Sequence, residues 1–313
     1  MLAFILRRLL STLPVLLFVA LFVFLILRLT PGDPAALIVG DMGTEADIMR
    51  VRQSLGLNEG LPMQFLIWIG KVLQGDLGES FFLKKSVVEL IAQRLEPTVS
   101  LAFLTIIFAV LIAIPLGAIA AAKRGGWLDR MLMSFSVLGF SIPVFVISYL
   151  LIWLIAIKGG LLPVQGYTPI KAGIAAWLSR LVLPTLTLSL VYIALIARIT
   201  RAAVSEALTE DFIRTARAKG LREVIVLVRH ALPNAAVPIV TVIGLGIAFL
   251  IGGVVVTETV FAIPGLGQLT VDAVLSRDFP VIQGIVLLFS MIYVLINLII
   301  DLSYLLLDPR IRY

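Results

Sequence analysis

Few side chains in this sequence could do chemistry, and they stand far apart. The single histidine, His230, has no cysteine to join it, because the chain contains none. A zinc or iron centre would lack ligands, so we expect no metal site. Glu258 and Asp301 lie in apolar stretches, where ionisable residues are candidate functional groups. No acid–base pair or nucleophile clusters with them, so we expect no catalytic residues and no enzyme.

A phosphate-binding loop is also missing from the sequence. Such a loop reads G-x-x-x-x-G-K-[ST]. The only Gly-Lys pair, Gly70-Lys71, is followed by Val72 and lacks the upstream glycine. We therefore expect no ATP site and no cofactor in this chain itself.

The densest signal is a short basic segment, residues 209–220, which read TEDFIRTARAKG. Thr209 can cap a helix, two acids follow in its first turn, and Arg217 and Lys219 occupy its last turn. Gly220 suits the left-handed position that stops a helix. The segment is either a solvated loop helix with snorkelling arginines or a helix that docks into a partner's groove.

A second amphipathic helix is predicted directly after this segment. One face would carry the apolar residues Leu221, Val224, Ile225 and Val228. We expect Leu232-Pro233 to break this helix before the next apolar stretch.

The elements that position these residues must lie in a membrane. Of 313 residues, 60% are hydrophobic and 14% are charged, and the mean hydropathy is +1.11. A soluble fold of this length could not hide so much apolar surface in a single core. A helix needs about 20 mainly apolar residues to cross the hydrocarbon. Six stretches qualify: Leu9–Leu27, Thr98–Ala122, Leu132–Ile157, Leu181–Ile199, Val237–Thr257 and Val281–Leu307.

The spans differ in composition. The first is longer than a signal-peptide core and no cleavage site follows it, so we interpret it as a retained anchor. The fourth carries Thr185, Thr187 and Ser189, which predicts a helix packed inside the bundle. Pro115 and Pro143 should kink the second and third spans.

Loop charges predict the orientation of the chain. If the N-terminus is cytoplasmic, most Lys and Arg residues outside residues 31–97 fall in segments on that side of the membrane, and the short loops on the other side carry only Lys158, Lys171, Arg180 and Arg277. The segments on the cytoplasmic side hold Arg7, Arg8, Lys123, Arg124, Arg130, the basic run from Arg198 to Arg229, Arg310 and Arg312. We therefore expect both termini in the cytoplasm, and the charge gives no reason to expect nucleic acid as a partner.

Residues 31–97 would then form an extracytoplasmic segment of short helices. Thr44 and Gly56 bound the first, and Pro62 and Gly75 bound the second, whose apolar face is Phe65, Ile69, Val72 and Leu73. A third helix follows Ser86, and we expect Pro97 to close it. The segment is either a cap on the bundle or a platform for an external partner. The resulting division is a membrane helix at 1–30, this segment at 31–97, and a five-helix core at 98–313 with a loop at 198–236.

The basic loop resembles the EAA loop of ABC-transporter permeases, E-A-A-x-x-x-G-x9-I-x-L-P. Aligned on Gly220, the chain has Arg214-Thr215-Ala216 before it and His230-Ala231-Leu232-Pro233 after nine residues. Arg214, Thr215 and His230 depart from the general pattern. Further motifs along the whole chain are similar to the dipeptide/oligopeptide/nickel branch: Pro31-Gly32-Asp33-Pro34, Gln74-Gly75-Asp76-Leu77-Gly78, Thr257-Glu258, Pro264-Gly265-Leu266-Gly267 and Asp308-Pro309-Arg310-Ile311-Arg312.

This resemblance implies an all-α polytopic membrane protein with six transmembrane helices and the type I ABC importer permease fold. It implies a bacterial-type inner-membrane location and four kinds of partner: a second homologous permease subunit, two ABC ATPase subunits carrying ATP and Mg²⁺, an extracytoplasmic substrate-binding protein, and membrane lipid. The residues implied to couple transport to the ATPases are Phe212, Arg214, Thr215, Ala216, Arg217, Gly220, Leu221, His230, Leu232 and Pro233.

The substrate and its pathway are less determined. Candidate pathway or gating residues are Pro143, Gly244, Gly252 and Glu258, although the glycines would equally serve close helix packing. The resemblance favours peptides as substrates, with glutathione, nickel chelates and other small solutes as alternatives. An ion-coupled secondary transporter is the alternative from a different class, and it would need an ionisable relay and an inverted repeat, neither of which is visible.

Overall fold

The computed structural model describes residues 2–29, 34–39, 44–54 and 56–307. Within these residues the chain is helical apart from turns, loops and one isolated β-bridge, Glu79 to Ser86. The α-helices are α1 Leu2–Leu29, α2 Pro34–Val39, α3 Glu45–Ser54, α4 Leu61–Leu73, α5 Val87–Ala122, α6 Trp127–Ser141, α7 Val144–Leu151, α8 Ile174–Ala207, α9 Asp211–Ala218, α10 Glu223–Ile225, α11 Leu232–Asn234, α12 Ala236–Val260, α13 Leu266–Leu275 and α14 Phe279–Leu307. Two segments are π-helical, Ile152–Lys158 and Val226–Ala231, and Ile170–Ala172 is a 3₁₀ turn.

Membrane spans follow from helix length and apolar composition. Among the described residues, four helices are long and apolar enough to cross a bilayer: Val87–Ala122, Ile174–Ala207, Ala236–Val260 and Phe279–Tyr304. Helices α6 and α7 make a fifth if the bent pair is one span. The remaining predicted span, Leu9–Leu27, lies in α1, whose described apolar part, Leu10–Ile26, is shorter than these. The chain is thus a multi-pass membrane protein.

The third predicted span, Leu132–Ile157, is broken rather than kinked. Helix α6 ends at Ser141, α7 begins at Val144, and the two halves are bent by 105°. Pro143 stands in the break as the N-cap of α7. A proline disfavours helical geometry at the residue before it, and Ile142 is accordingly extended, with φ −93° and ψ 122°. The bend that the sequence predicted at Pro143 is therefore present, but it interrupts the helix instead of kinking a continuous one.

Helix α5 runs through Pro97, where the sequence predicted a stop. It has 36 residues, which at 1.5 Å per residue is about 54 Å and exceeds the roughly 30 Å of hydrocarbon. Membrane helices tolerate an internal proline where neighbouring groups satisfy the freed backbone. The expected stop at Pro97 is thus wrong, since the third short helix and the second span are one element.

The chain forms two compact units, one of Met1–Leu95 with Leu269–Val294 and the other of Glu96–Gln268 with Leu295–Tyr313. In the second unit α8 packs against α6, α7 and α12. Of its apolar window 61% is buried, against 22% for α5 and 33% for α12. The prediction that the fourth span packs inside the bundle is confirmed.

Small residues let two helices approach α8 closely. A Cβ atom on Gly117 of α5 would lie 2.6 Å from the carbonyl oxygen of Ala197 and 2.7 Å from the Cβ of Thr200. A Cβ atom on Gly139 of α6 would lie 2.9 Å from the Cβ of Ala194. Close backbone approach matters in membranes, because lipid provides no hydrophobic force between helices. These glycines therefore set the spacing of α5 and α6 from α8.

The first unit contains two of the three short helices that the sequence predicted. Helix α3 begins directly after Thr44, and Gly56 follows it with φ +66°. Helix α4 has Pro62 in its first turn, and Gly75 follows it with φ +86°. Proline at the start and glycine past the end are thus reliable boundaries here.

The apolar face of α4 packs against α1. The rings of Phe65 and Phe24 meet edge to face with centroids 5.4 Å apart, and Trp68 lies 5.7 Å from Phe24. Leu73, which the sequence placed on this face, is 81% exposed instead, because it lies in the last turn, where the helix ends.

A buried hydrogen-bonded group anchors residues 79–86 in the same unit. Ser80 donates its hydroxyl to Asp278, and the N–H of Phe81 donates to the other carboxylate oxygen at 3.2 Å. Ser80 and Asp278 are both buried. Buried polar groups require such partners, so the pair holds this turn against the start of α14.

Candidate functional site

The basic segment between the fourth and fifth spans forms helix α9. Its N-cap is Glu210, not Thr209 as predicted, and no side chain caps it. Thr209 instead donates its hydroxyl to the carbonyl oxygen of Glu206, 2.7 Å away at the end of α8. A threonine hydroxyl can either cap the helix that follows it or donate to a backbone carbonyl before it. Here Thr209 bonds the end of α8 and leaves α9 without a side-chain cap. Asp211 remains in the first turn of α9, where a negative charge suits the helix dipole.

Gly220 ends α9 in the left-handed conformation that the sequence predicted, with φ +77°. Its N–H donates to the carbonyl of Arg217 at 2.9 Å, and the N–H of Leu221 donates to the carbonyl of Ala216 at 3.4 Å. These two bonds form a Schellman motif. The motif reverses the chain and brings the side chain of Leu221 back onto the apolar residues under α9.

One face of α9 is fully buried. Ile213 is 0% and Ala216 is 5% exposed. We call the cluster around them the anchoring core, and it consists of Ala121, Val204, Ala207, Ile213, Ala216, Val226, Ala231, Ala235 and Ile239. Because its members come from α5, α8, α9, the π-helical turn and the start of α12, the anchoring core fixes α9 to the ends of the spans.

The opposite face of α9 is exposed and charged. Arg217 bonds Glu223 twice, Nε to Oε1 at 2.8 Å and Nη2 to Oε2 at 3.2 Å. This hydrogen bonding lowers the pKa of Glu223 and raises the pKa of Arg217. Arg214 bonds Asp211 at 3.2 Å along the same helix. The exposed guanidinium groups are therefore held in defined directions.

The chain after Gly220 continues as one nearly unbroken helical run. Helix α10, the π-helical turn and α11 lead directly into α12. Pro233 lies in the first turn of α11, where a missing N–H costs little. The break predicted at Leu232-Pro233 falls two residues later, at the turn residue Ala235 between α11 and α12.

The apolar face predicted for this run is exposed. Val224, Ile225 and Val228 are 71%, 39% and 57% exposed, whereas Val226 is 0%. Val224, Ile225 and Val228 thus share an exposed side, although the first two belong to α10 and only Val228 to the π-helical turn.

These exposed side chains belong to two elements that contact each other, α9 and the π-helical turn with the residues just before it. We call the exposed set the docking surface, and it consists of Phe212, Arg214, Arg217, Val224, Ile225 and Val228. Apolar side chains that a chain leaves uncovered beside fixed cations are typical of a protein interaction site.

The remaining predicted coupling residues lie in the same region. Thr215 and Pro233 are exposed, and Leu232 and His230 are half-buried. Among the residues that the structure describes, no group of three metal-ligating side chains exists. The ten residues are thus brought together, and their coupling role stays a prediction.

The four candidate pathway residues are not on one surface. A Cβ atom on Gly244 would overlap Cδ1 of Ile300, so this glycine admits α14. Gly252 is exposed with nothing within 4 Å of such an atom, and Pro143 is exposed as well. Glu258 is fully buried. Gly252 and Pro143 are therefore the two accessible candidates.

Glu258 clasps the end of α12 to two other elements. The hydroxyl of Thr98 on α5 donates to Oε1 of Glu258 at 2.6 Å, and the N–H of Gln268 donates to Oε2 at 3.1 Å. Thr98 in turn accepts the N–H of Leu266 at 2.8 Å. A Cβ atom on Gly265 would collide with the carboxylate of Glu258. The Thr257-Glu258 and Pro264-Gly265-Leu266-Gly267 motifs therefore meet in one hydrogen-bonded network around Glu258, which we call the clasp.

Replacing Glu258 with alanine should lower the stability of the folded chain markedly. The change removes the acceptor of two buried hydrogen bonds, which costs on the order of 3 kcal/mol. Glu258→Gln keeps the volume and one acceptor and should lose less. Thermal unfolding in detergent, followed by tryptophan fluorescence, measures the order. Equal midpoints for wild type and Glu258→Ala would mean that the clasp is not stabilising.

An ion pair between Arg201 and Asp129 was not predicted from the sequence. Arg201 of α8 bonds Asp129 of α6 at 2.8 Å through both Nε and Nη2, and the N–H of Gly125 bonds the same carboxylate at 2.9 Å. Asp129 is only 4% exposed. The pair joins the turn after α5 to the end of α8, and the 72-residue separation leaves no local signal.

The loop at 159–173 is bonded to α5 at Glu96, far from the turn that follows this helix. The hydroxyl of Tyr167 and the N–H of Ile170 both donate to Oε1 of Glu96 at 3.0 Å. The N–H of Gly166 donates to the carbonyl of Phe261 at 2.9 Å. Burial raises the pKa of Tyr167, so its hydroxyl stays protonated as a donor.

Two family profiles match the chain along nearly its whole length. Residues 113–313 match the "Binding-protein-dependent transport system inner membrane component". Residues 1–102 match the N-terminal part of such membrane components. The first match alone covers more than half of the chain.

Individual relatives agree with these profiles. A probable peptide ABC transporter permease protein of Sinorhizobium fredii is 54% identical over 310 residues, 99% of either chain. A glutathione transport system permease protein of Pectobacterium atrosepticum is 45% identical over 313 residues, the full length of both. Among solved structures, the inward-facing MetNI methionine ABC transporter has a TM-score of 0.59 at 20% identity, over 71% of this chain and 97% of that chain.

Proposed function

The chain belongs to the family of binding-protein-dependent transport system inner membrane components, and from this we propose that it forms half of a peptide translocation pathway driven by partner ATPases. As a permease subunit of an ABC importer it has the type I permease fold. The observation that carries the proposed coupling is the docking surface, which is exposed while the anchoring core beneath it is buried.

In this proposal ATP and Mg²⁺ bind to two ATPase subunits, and this chain supplies no catalytic residue. Each ATPase holds one docking surface, from this chain or from a second homologous permease. When ATP closes the ATPases, the two α9 helices move together. The anchoring core carries that motion to α5, α8 and α12, because their ends contribute its residues. The ATPases shift the pore only by binding its two states with different affinity.

Peptides are the proposed substrate, delivered by an extracytoplasmic binding protein. Support comes from the relative at 54% identity, whose name specifies peptide transport. The relative at 45% identity is named for glutathione, itself a short peptide, which is the second candidate. Both substrates carry the same amide and carboxylate groups.

Uptake by a strain lacking the chain tests this proposal. Labelled dipeptides, tripeptides, longer peptides, glutathione and nickel chelates are offered with and without the restored gene. We expect peptide uptake to return with the gene and to require ATP in proteoliposomes of the whole complex. Uptake that an ion gradient drives without ATP would contradict the proposal and favour a secondary transporter.

The proposed topology places both termini and the docking surface in the cytoplasm. Single cysteines test it well, because the chain has none. Gly125 and Gly160 are matched sites, since both are exposed, have positive φ and leave a Cβ atom free of contacts. An impermeant thiol reagent should label Gly160→Cys in intact cells and Gly125→Cys only after lysis. The reverse pattern would invert the topology.

A further inference from the structure

The turn between α5 and α6 carries a cluster of exposed cations. Lys123, Arg124 and Arg130 are all exposed, and none forms a salt bridge with another described residue. Residue Ala121, two positions before Lys123, belongs to the anchoring core. The cluster therefore lies at the same end of the second unit as α9.

The one acid in this turn binds chiefly another cation. Asp129 turns inward, where Arg201 bonds both of its carboxylate oxygens at 2.8 Å. The N–H of Gly125 adds a third bond at 2.9 Å. Arg124 adds only a weaker Coulombic attraction to Asp129, so the exposed surface of the turn keeps a clear excess of positive charge.

An exposed apolar stripe begins directly beside the cations. Trp127, Met131 and Leu138 are 68%, 61% and 57% exposed, and their spacing of four and seven residues places them on one face of α6. This helix is the first half of a candidate membrane span. Tryptophan is enriched where a span meets the headgroups, with aliphatic side chains deeper in the hydrocarbon.

We propose that this surface binds an anionic phospholipid. Lys123, Arg124 and Arg130 contact the headgroup phosphate, Trp127 lies at the level of the headgroups, and one acyl chain follows Met131 and Leu138. The order of charge, indole and aliphatic side chains matches the order of phosphate, interface and hydrocarbon in a leaflet. Juxtamembrane cations recognise anionic lipid in this way.

Quenching of Trp127 by brominated lipid tests the proposal. The whole complex is placed in nanodiscs containing brominated phosphatidylglycerol or, at the same mole fraction, brominated phosphatidylcholine. The difference between wild type and Trp127→Phe isolates the signal of this one indole. We expect stronger quenching by the anionic lipid, with a preference that falls about fivefold for each cation removed. Higher salt should also weaken it.

The test variant combines Lys123→Gln, Arg124→Gln and Arg130→Gln. Its matched control combines Lys71→Gln, Lys171→Gln and Arg277→Gln, which remove three exposed cations elsewhere. The control should keep the lipid preference. Equal quenching by both lipids in the wild type would overturn the proposal. Absence of quenching by either would also overturn it, because a protein subunit would then cover Trp127. Both of these results are measured on the wild type, so they hold even if the test variant fails to assemble.

Discussion

Gly220→Glu is expected to abolish ATP-driven uptake while leaving the membrane helices folded. Positive φ costs a residue with a β-carbon about 1 kcal/mol, and Gly220 has φ +77°. No atom lies within 4 Å of a Cβ built there, so the chain itself sets no steric obstacle. The new carboxylate would project beside the docking surface. Burying it unpaired under a partner should weaken ATPase association on the order of 100-fold.

The matched control for this variant is Gly75→Glu. Gly75 ends α4 with the same Schellman bonds, since its N–H donates to the carbonyl of Val72 and the N–H of Asp76 donates to that of Lys71. Its φ is +86°, and a Cβ atom there also meets nothing. The two variants therefore have the same conformational cost at the backbone. They differ only in which surface of the chain carries the new glutamate.

ATPase recovery on purification and uptake into proteoliposomes measure the outcome. We expect Gly75→Glu to retain its ATPases and Gly220→Glu to lose them, or to keep them without substrate-stimulated hydrolysis. Uptake at the wild-type rate by Gly220→Glu would show that α9 is not the coupling element.

Gly117→Leu should prevent the permease from folding to a stable form. A Cβ atom alone would come within 2.6 Å of the backbone oxygen of Ala197, so α5 and α8 would have to separate. Overpacking a core costs about 1–3 kcal/mol for added methylenes, and a displaced backbone raises this cost. Since α8 is the most buried of the candidate spans, the loss spreads to the helices that pack on it.

Gly252→Leu controls for the change in size within a membrane helix. Gly252 lies in α12 with open space around a Cβ atom, so leucine there should fold normally. Membrane yield, elution by gel filtration and the thermal midpoint compare the two variants. A wild-type midpoint for Gly117→Leu would refute the close crossing of α5 and α8.

Local signals predicted local features well. Pro62, Gly75 and Gly220 mark helix boundaries because each acts through its own backbone conformation. Pro97 misled, since a proline ends a helix only where its surroundings leave the freed backbone groups unsatisfied. The charge pattern and stop signal of residues 209–220 likewise located α9, which spans Asp211–Ala218.

Long-range pairing was beyond sequence reasoning. The Ser80–Asp278 bond joins residues 198 apart, and the Asp129–Arg201 pair joins residues 72 apart. From the sequence alone, Gly117 could either weaken α5 or allow a close contact with another helix. Its position opposite Ala197 in the structure shows that it allows a close contact. Likewise the exposure of Val224 and Val228 depends on which residues of this run pack into the anchoring core, which the spacing alone does not say.

Under the proposed coupling, buried and exposed positions of this region evolve under different constraints. Ile213 and Ala216 fix α9 in place, whereas Val224 and Val228, on the segment that follows, are 71% and 57% exposed. Substitutions at these two positions would cost little folding free energy and would change which ATPase fits. A cell that keeps several importers of this family could diversify their pairings there. A few outward side chains on an unchanged scaffold would then prevent cross-assembly between paralogous importers.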